Sequence, residues 1–101
     1  MSAFVKKNQQ QFELTIQEQD YRFTVGREDY NKYINSVTQK NKVAPSHNFL
    51  IETVDDDCKA ALKTLLQETP GADVSIASEL MEAYTPDLNI AVKKLSSAQN
   101  D

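Results

Sequence analysis

The sequence predicts an α+β domain in which an N-terminal β-hairpin packs against about four short helices. Near the start of the chain, apolar and polar residues alternate over two short stretches, at 12–16 and 21–25. From residue 30 onward, the apolar residues recur three and four positions apart, which is the spacing of a helix face. The change from a period of two to a period near 3.6 therefore places the strands before the helices.

The chain has 101 residues, enough for one domain with a modest core. Only 2 glycines and 3 prolines are present, so the composition is not that of a linker protein. We expect a flexible lead-in at 1–11, a single compact domain at 12–95 and a polar tail at 96–101.

The two alternating stretches form the hairpin. Their apolar positions share one face of the predicted strands: Phe12, Leu14, Ile16, Tyr21, Phe23 and Val25. The polar residues Glu18, Gln19 and Asp20 join them. No Asn-Gly or Asp-Gly pair is present, so the sequence does not reveal the turn type.

Helical spacing starts with a stripe at Tyr30, Tyr33, Ile34 and Val37, which predicts a first helix over 27–39. A second helix follows the break at Pro45, with Ser46 as its N-cap. Its buried face consists of Phe49, Leu50, Thr53 and Val54.

One of the aspartates at 55–57 is expected to cap a third helix. The apolar face of that helix consists of Ala61, Leu62, Leu65 and Leu66. A fourth helix is predicted over 72–84, with its stripe at Ala77, Leu80, Met81 and Tyr84.

The residues after the fourth helix alternate again, with Leu88, Ile90 and Val92 as the apolar positions. They fit either a short third strand beside the hairpin or the start of a terminal helix. We favour the strand because the alternation has a period of two.

Charge and composition disfavour two classes of partner. The net charge is −4 and the isoelectric point is about 4.9, whereas proteins that bind nucleic acids usually present a basic face. No apolar run is long enough to span a membrane. Cys58 is the single cysteine, which fits a reducing compartment, so we expect a cytoplasmic protein.

No motif for catalysis, cofactor binding or metal binding is visible. The aspartates at 55–57 lack the alternating spacing of a calcium loop. His47 and Cys58, the single histidine and cysteine, lie on separate predicted helices. We expect a protein that is not an enzyme and needs no cofactor.

Several segments together resemble a family of small phage and prophage proteins, the tail assembly chaperones. The resemblance covers about residues 12–95 and is most specific over Lys42–Leu50, Lys-Val-Ala-Pro-Ser-His-Asn-Phe-Leu. Other matching segments are Phe12–Ile16, Tyr21–Val25, Asp29–Asn35, Cys58–Leu62 and Pro86–Lys94.

The resemblance implies a protein that binds and shields the tape-measure protein during tail assembly. It also implies contact with the tail-tube protein, self-association, a place in the bacterial host cytoplasm and absence from the mature virion. The alternatives are a minor structural tail component and a small regulatory protein-binding domain. From exposed-edge and groove arguments, we expect the partner-binding surface to include the helix that carries Leu80, Met81 and Tyr84, and the edge of the hairpin.

Overall fold

The structure, a computed structural model, describes residues 9–95. Over this range the chain forms two strands followed by four helices. They are β1 (Gln9–Ile16), β2 (Gln19–Gly26), α1 (Arg27–Ser36), α2 (Val43–Thr53), α3 (Asp56–Glu68) and α4 (Ala72–Tyr84). The predicted α+β fold is therefore confirmed, with an N-terminal hairpin and four helices.

The two strands form an antiparallel hairpin in which Phe12 lies opposite Phe23. Gln17 and Glu18 make the turn, with φ of 53° and 69°. Positive φ at both central residues is the geometry of a type I′ turn, which matches the twist of the two strands. The hairpin begins earlier than expected, because β1 includes residues 9–11, which we had placed in the lead-in. The rest of the predicted lead-in and the polar tail lie outside the described residues.

The two edges of the hairpin differ. On the β2 side, Phe23 forms an antiparallel bridge with Val54, and the Asp55 N–H donates to the Arg22 carbonyl at 2.8 Å. The junction between α2 and α3 therefore covers that edge. On the other side, β1 has no neighbouring strand within the part of the chain that the structure describes.

The hydrophobic core lies between β2 and the helices. Its buried apolar residues are Tyr21, Phe23, Val25, Tyr33, Phe49, Leu50, Val54, Leu62, Leu65, Leu66, Ala72, Ile76, Ala77 and Leu80. β2 contacts α1, α2 and α3, and α2 also packs against α4. The predicted apolar faces of the helices supply most of this core, as expected for amphipathic helices.

Two helix boundaries differ from the prediction. α1 ends at Ser36 rather than at 39, and the backbones of Thr38 and Asn41 then pair with each other at 3.0 and 3.3 Å. α2 begins at Val43, so Ser46 lies inside the helix and is not its cap. Pro45 occupies the first turn, where its missing N–H costs no helical hydrogen bond.

The predicted third strand is wrong for the described residues. Residues 86–95 form neither a strand nor a helix. Leu88, Ile90 and Val92 are 69%, 76% and 89% exposed, so they do not join the core. The backbone also turns at Asn89, whose φ is 55° and whose N–H donates to the Asp87 carboxylate at 2.9 Å. An alternating pattern alone therefore does not create a strand where no sheet edge is paired with it.

Candidate partner-binding surface

The three residues predicted to bind a partner occupy different depths on α4. Leu80 is fully buried and contributes nothing to the surface. Met81 and Tyr84 are half-buried and pack against the margin of the core. Helical periodicity groups these residues on one face of α4. It does not show which part of that face is covered by other elements of the fold.

Tyr84 meets an aromatic partner on α1. Its ring lies 5.5 Å from that of Tyr30, centroid to centroid, with the planes inclined by 32°. This spacing is that of an interacting aromatic pair. One turn further along α1, Ile34 is 45% exposed although it is a large apolar residue. This ring contact joins α1 to α4, and we call the apolar residues Tyr30, Ile34, Met81 and Tyr84 of these two helices the α1–α4 surface.

The sequence had assigned Tyr30 and Ile34 to a core stripe. Tyr33 is the one buried residue of α1, and Tyr30 is half-buried. The difference arises because α1 is short and lies at the margin of the core. A wide apolar stripe on such a helix is only partly covered.

Large exposed apolar residues are distributed unevenly over the molecule. Those described are Ile34, Val43, Leu88, Ile90, Val92 and Leu95. None of them belongs to α3, whose exposed positions, apart from Ala60, carry polar and charged side chains such as Lys63 and Gln67. Apolar side chains that remain exposed in one region of a protein commonly mark a contact with another protein.

A part-buried hydrogen bond joins His47 to Asp73. The His47 Nδ1 lies 2.9 Å from the Asp73 carboxylate, which joins α2 to α4. The shallow groove beside His47 is lined by Ile51, Lys63, Leu66 and Gln67, so no hydroxyl or thiol lines it. Cys58 is elsewhere, with its Sγ 3.9 Å from the Asp20 carbonyl. The His47–Asp73 contact therefore acts as a tie between two helices.

The three consecutive aspartates do not converge on a common point. Asp55 occupies the predicted N-cap position of α3, but its side chain makes no cap hydrogen bond, and its carboxylate lies instead 3.5 Å from both Arg22 and Thr24. Asp56 is fully exposed and lies 3.7 Å from Lys59. In the described part of the chain, no group of three His, Cys, Asp or Glu residues is arranged to hold a metal ion.

A small cleft separates α1 from α2. Tyr33 and Phe49 line it. The ion pair between Lys32 and Glu52, whose Nζ and Oε2 atoms are 3.0 Å apart, lies at its border. Its volume of about 190 Å³ is below the roughly 300 Å³ at which pockets for small molecules or cofactors begin. Among the described helices, none combines the length and the apolar character needed to cross a membrane.

The fold and the exposed residues together define a small α+β protein whose apolar surface suits contact with another protein. Comparison with known proteins makes the assignment specific. The chain belongs to the phage tail assembly chaperone family, whose model matches residues 12–94.

A relative from Haemophilus phage HP1 is similar to this chain. The two are 27% identical over 74 residues, which is 73% of this chain and 72% of the relative. That relative is described as an uncharacterized 11.3 kDa protein in the lys 3′ region. No solved structure matches the chain.

Proposed function

We propose that this protein binds the tape-measure protein of its phage and shields it in the host cytoplasm until the tail-tube subunits assemble around it. The observation that carries the proposal is the α1–α4 surface on a member of the tail assembly chaperone family, in which Ile34 is exposed and the other three side chains are partly exposed. The protein acts by binding alone, and it leaves before the virion is complete.

The chemistry of this surface suits an apolar stripe on a long helix. An unassembled helical protein exposes such stripes to water, and they favour aggregation. The Tyr30–Tyr84 pair offers broad apolar rings with polar hydroxyl ends, and side chains of this kind dominate many protein interfaces. Ile34 and the flexible thioether Met81 extend the same contact and adapt to varied partner side chains.

The small size of the surface fits a chaperone that must be released. Four side chains give a modest contact for each copy, which tail-tube subunits can displace. Many copies along one tape-measure chain would still cover it, since coverage then depends on the number of bound copies. The acidic net charge of −4 keeps the free protein soluble at the high concentration that such coverage needs.

The test is co-expression of this protein with the tape-measure protein of the same phage, followed by co-purification and a solubility assay. We expect the two to purify together and the tape-measure protein to remain soluble only when this protein is present. Ile34→Asp should weaken the complex by about tenfold or more, because it places a charge within the apolar contact.

The matched control is Ala60→Asp, which places the same charge at an exposed position on α3. It should leave binding unchanged. Equal loss in both variants would show that the α1–α4 surface is not the contact. Presence of this protein in finished particles would instead favour a structural tail component. A tape-measure protein that is soluble alone and does not bind would contradict the proposal.

A further inference from the structure

The residues that follow α4 include a second set of exposed apolar side chains, separate from the α1–α4 surface. We call residues 86–95 the arm. Its large apolar residues Leu88, Ile90, Val92 and Leu95 are between 69% and 89% exposed. The arm therefore has no apolar partner in the described part of its own domain.

The open edge of β1 has backbone groups that an added strand could pair with. Ile16 and Gln19 flank a two-residue turn, so they form a hydrogen-bonded pair, and the pairs alternate from there along the hairpin. The backbone N–H and C=O groups of Gln11, Glu13 and Thr15 consequently point away from β2, toward the open edge. Unpaired edges of this kind accept an added strand from another chain.

The apolar side of β1 is also incompletely covered. Phe12, Leu14 and Ile16 are only half-buried, whereas Tyr21, Phe23 and Val25 on β2 are 4%, 0% and 0% exposed. A groove of about 290 Å³ runs beside β1, with Leu14, Ile16 and Ile76 among its apolar lining residues. A strand laid along β1 would place alternate side chains over this groove.

Charge favours the same contact. The arm contains Lys93, Lys94 and Asp87 and has a net charge of +1. Because the whole chain has a net charge of −4, the rest of the chain has a net charge of −5. Glu79 lies at the groove beside β1. A basic apolar arm and an acidic domain attract each other, and the attraction suits association between copies of one chain.

We propose that the arm of one copy adds as a strand to the β1 edge of a second copy. Ile90 and Val92 lie two residues apart, so both can face the groove next to Leu14 and Ile16, while Ala91 and Lys93 face solvent. Because every copy has one arm and one open edge, two copies can exchange arms symmetrically, or several can associate head to tail.

The test measures molar mass by light scattering over a range of protein concentrations. We expect the wild-type mass to rise from that of one chain to that of two or more. Ile90→Lys should raise the concentration needed for association by about tenfold or more, since it puts a charge into the apolar groove. Ala91→Lys adds the same charge on the opposite face of the arm and should leave association nearly unchanged.

A second variant tests the receiving edge. Thr15→Pro removes an N–H that points away from β2, so it should block the added strand while the hairpin still forms. Circular dichroism checks that the variant folds. Mixing it with Ile90→Lys should restore one arm-to-edge contact, and so association at a higher concentration than the wild type needs, because one variant supplies an intact arm and the other an intact edge.

Three results would overturn the proposal. They are a wild-type protein that stays monomeric at all concentrations, equal behaviour of the two lysine variants, and no association in the mixture. A loss of stability without any dependence on concentration would show that the arm folds back on its own sheet. None of these results bears on tape-measure binding, since Ile90→Lys leaves the α1–α4 surface intact.

Discussion

A single buried hydrogen bond joins α2 to α1, between the Ser46 Oγ and the Tyr33 hydroxyl at 3.3 Å. Ser46 is fully buried, and Tyr33 is 9% exposed. Ser46 also lies in Lys42–Leu50, the segment in which the family resemblance is most specific. A buried polar group demands a partner at a fixed distance, which constrains both helices more tightly than apolar packing does. Ser46 therefore has a packing role at its position in this segment.

The Ser46–Tyr33 bond gives a testable prediction. Ser46→Ala and Tyr33→Phe should each lower the free energy of unfolding by about 1–2 kcal/mol, because each leaves one buried hydroxyl without its partner. The double variant should lose less than the two single losses combined, since it removes both hydroxyls. Denaturant unfolding of the four proteins gives the coupling between the residues.

The control for this cycle is Ser78→Ala, at an exposed position on α4. Its stability should equal or slightly exceed that of the wild type, because alanine is the better helix former. Strictly additive losses in the Ser46–Tyr33 cycle would show that the hydrogen bond contributes no stability of its own.

The two residues also show what sequence reasoning could reach at this level. Ser46 was predicted as a helix cap because serine after a break commonly accepts a backbone N–H. Its real partner lies 13 residues earlier, on another helix. Leu80, Met81 and Tyr84 were correctly grouped on one face of α4, but the burial of Leu80 depends on helices that local spacing does not describe.

Among the elements, those with a strong local pattern agree best with their predictions. α4 has the predicted bounds of 72 and 84. Asp55 occupies the N-cap position of α3, and the hairpin alternates as expected. The start of α2 was displaced because Pro45 looked like a break, whereas a proline in a first turn is compatible with a helix. The arm was predicted as a strand from its alternating pattern. Alternation shows that a segment is suited to a sheet, but it does not show that a sheet edge is available to pair with it.

The hairpin turn offers a prediction for an entire element. Gln17 and Glu18 both adopt positive φ, which costs about 1–2 kcal/mol for each residue with a side chain. Replacing them with Asn and Gly, the residues preferred in type I′ turns, should raise the free energy of unfolding by about 1 kcal/mol. The melting temperature should rise by roughly 4–8 °C for a domain of this size.

Replacement of both turn residues by alanine is the matched control, since it removes the same side chains without favouring positive φ. That variant should be no more stable than the wild type. If Asn-Gly gave no gain over alanine at both positions, the turn would not have the type I′ geometry.

Across the whole molecule, the hairpin and the helices share one core through β2. Phe23 is fully buried and also bridges to Val54, at the junction of α2 and α3. Phe12 lies directly opposite Phe23 on β1 but is only half-buried. Two residues of the same type, paired across the hairpin, therefore stand at the centre and at the margin of the core.

This pairing predicts unequal effects of the same substitution. Phe23→Ala should lower the free energy of unfolding by about 3–5 kcal/mol, a large part of the 5–15 kcal/mol typical of a small domain. Phe12→Ala should lower it by about half as much, because folding removes less of the apolar surface of Phe12 from contact with water. Chemical denaturation followed by helical circular dichroism and by tyrosine fluorescence measures both losses. The two signals should change together in each protein, since one core holds the strands and helices. Equal losses would mean that the side chain of Phe12 is covered as fully as that of Phe23.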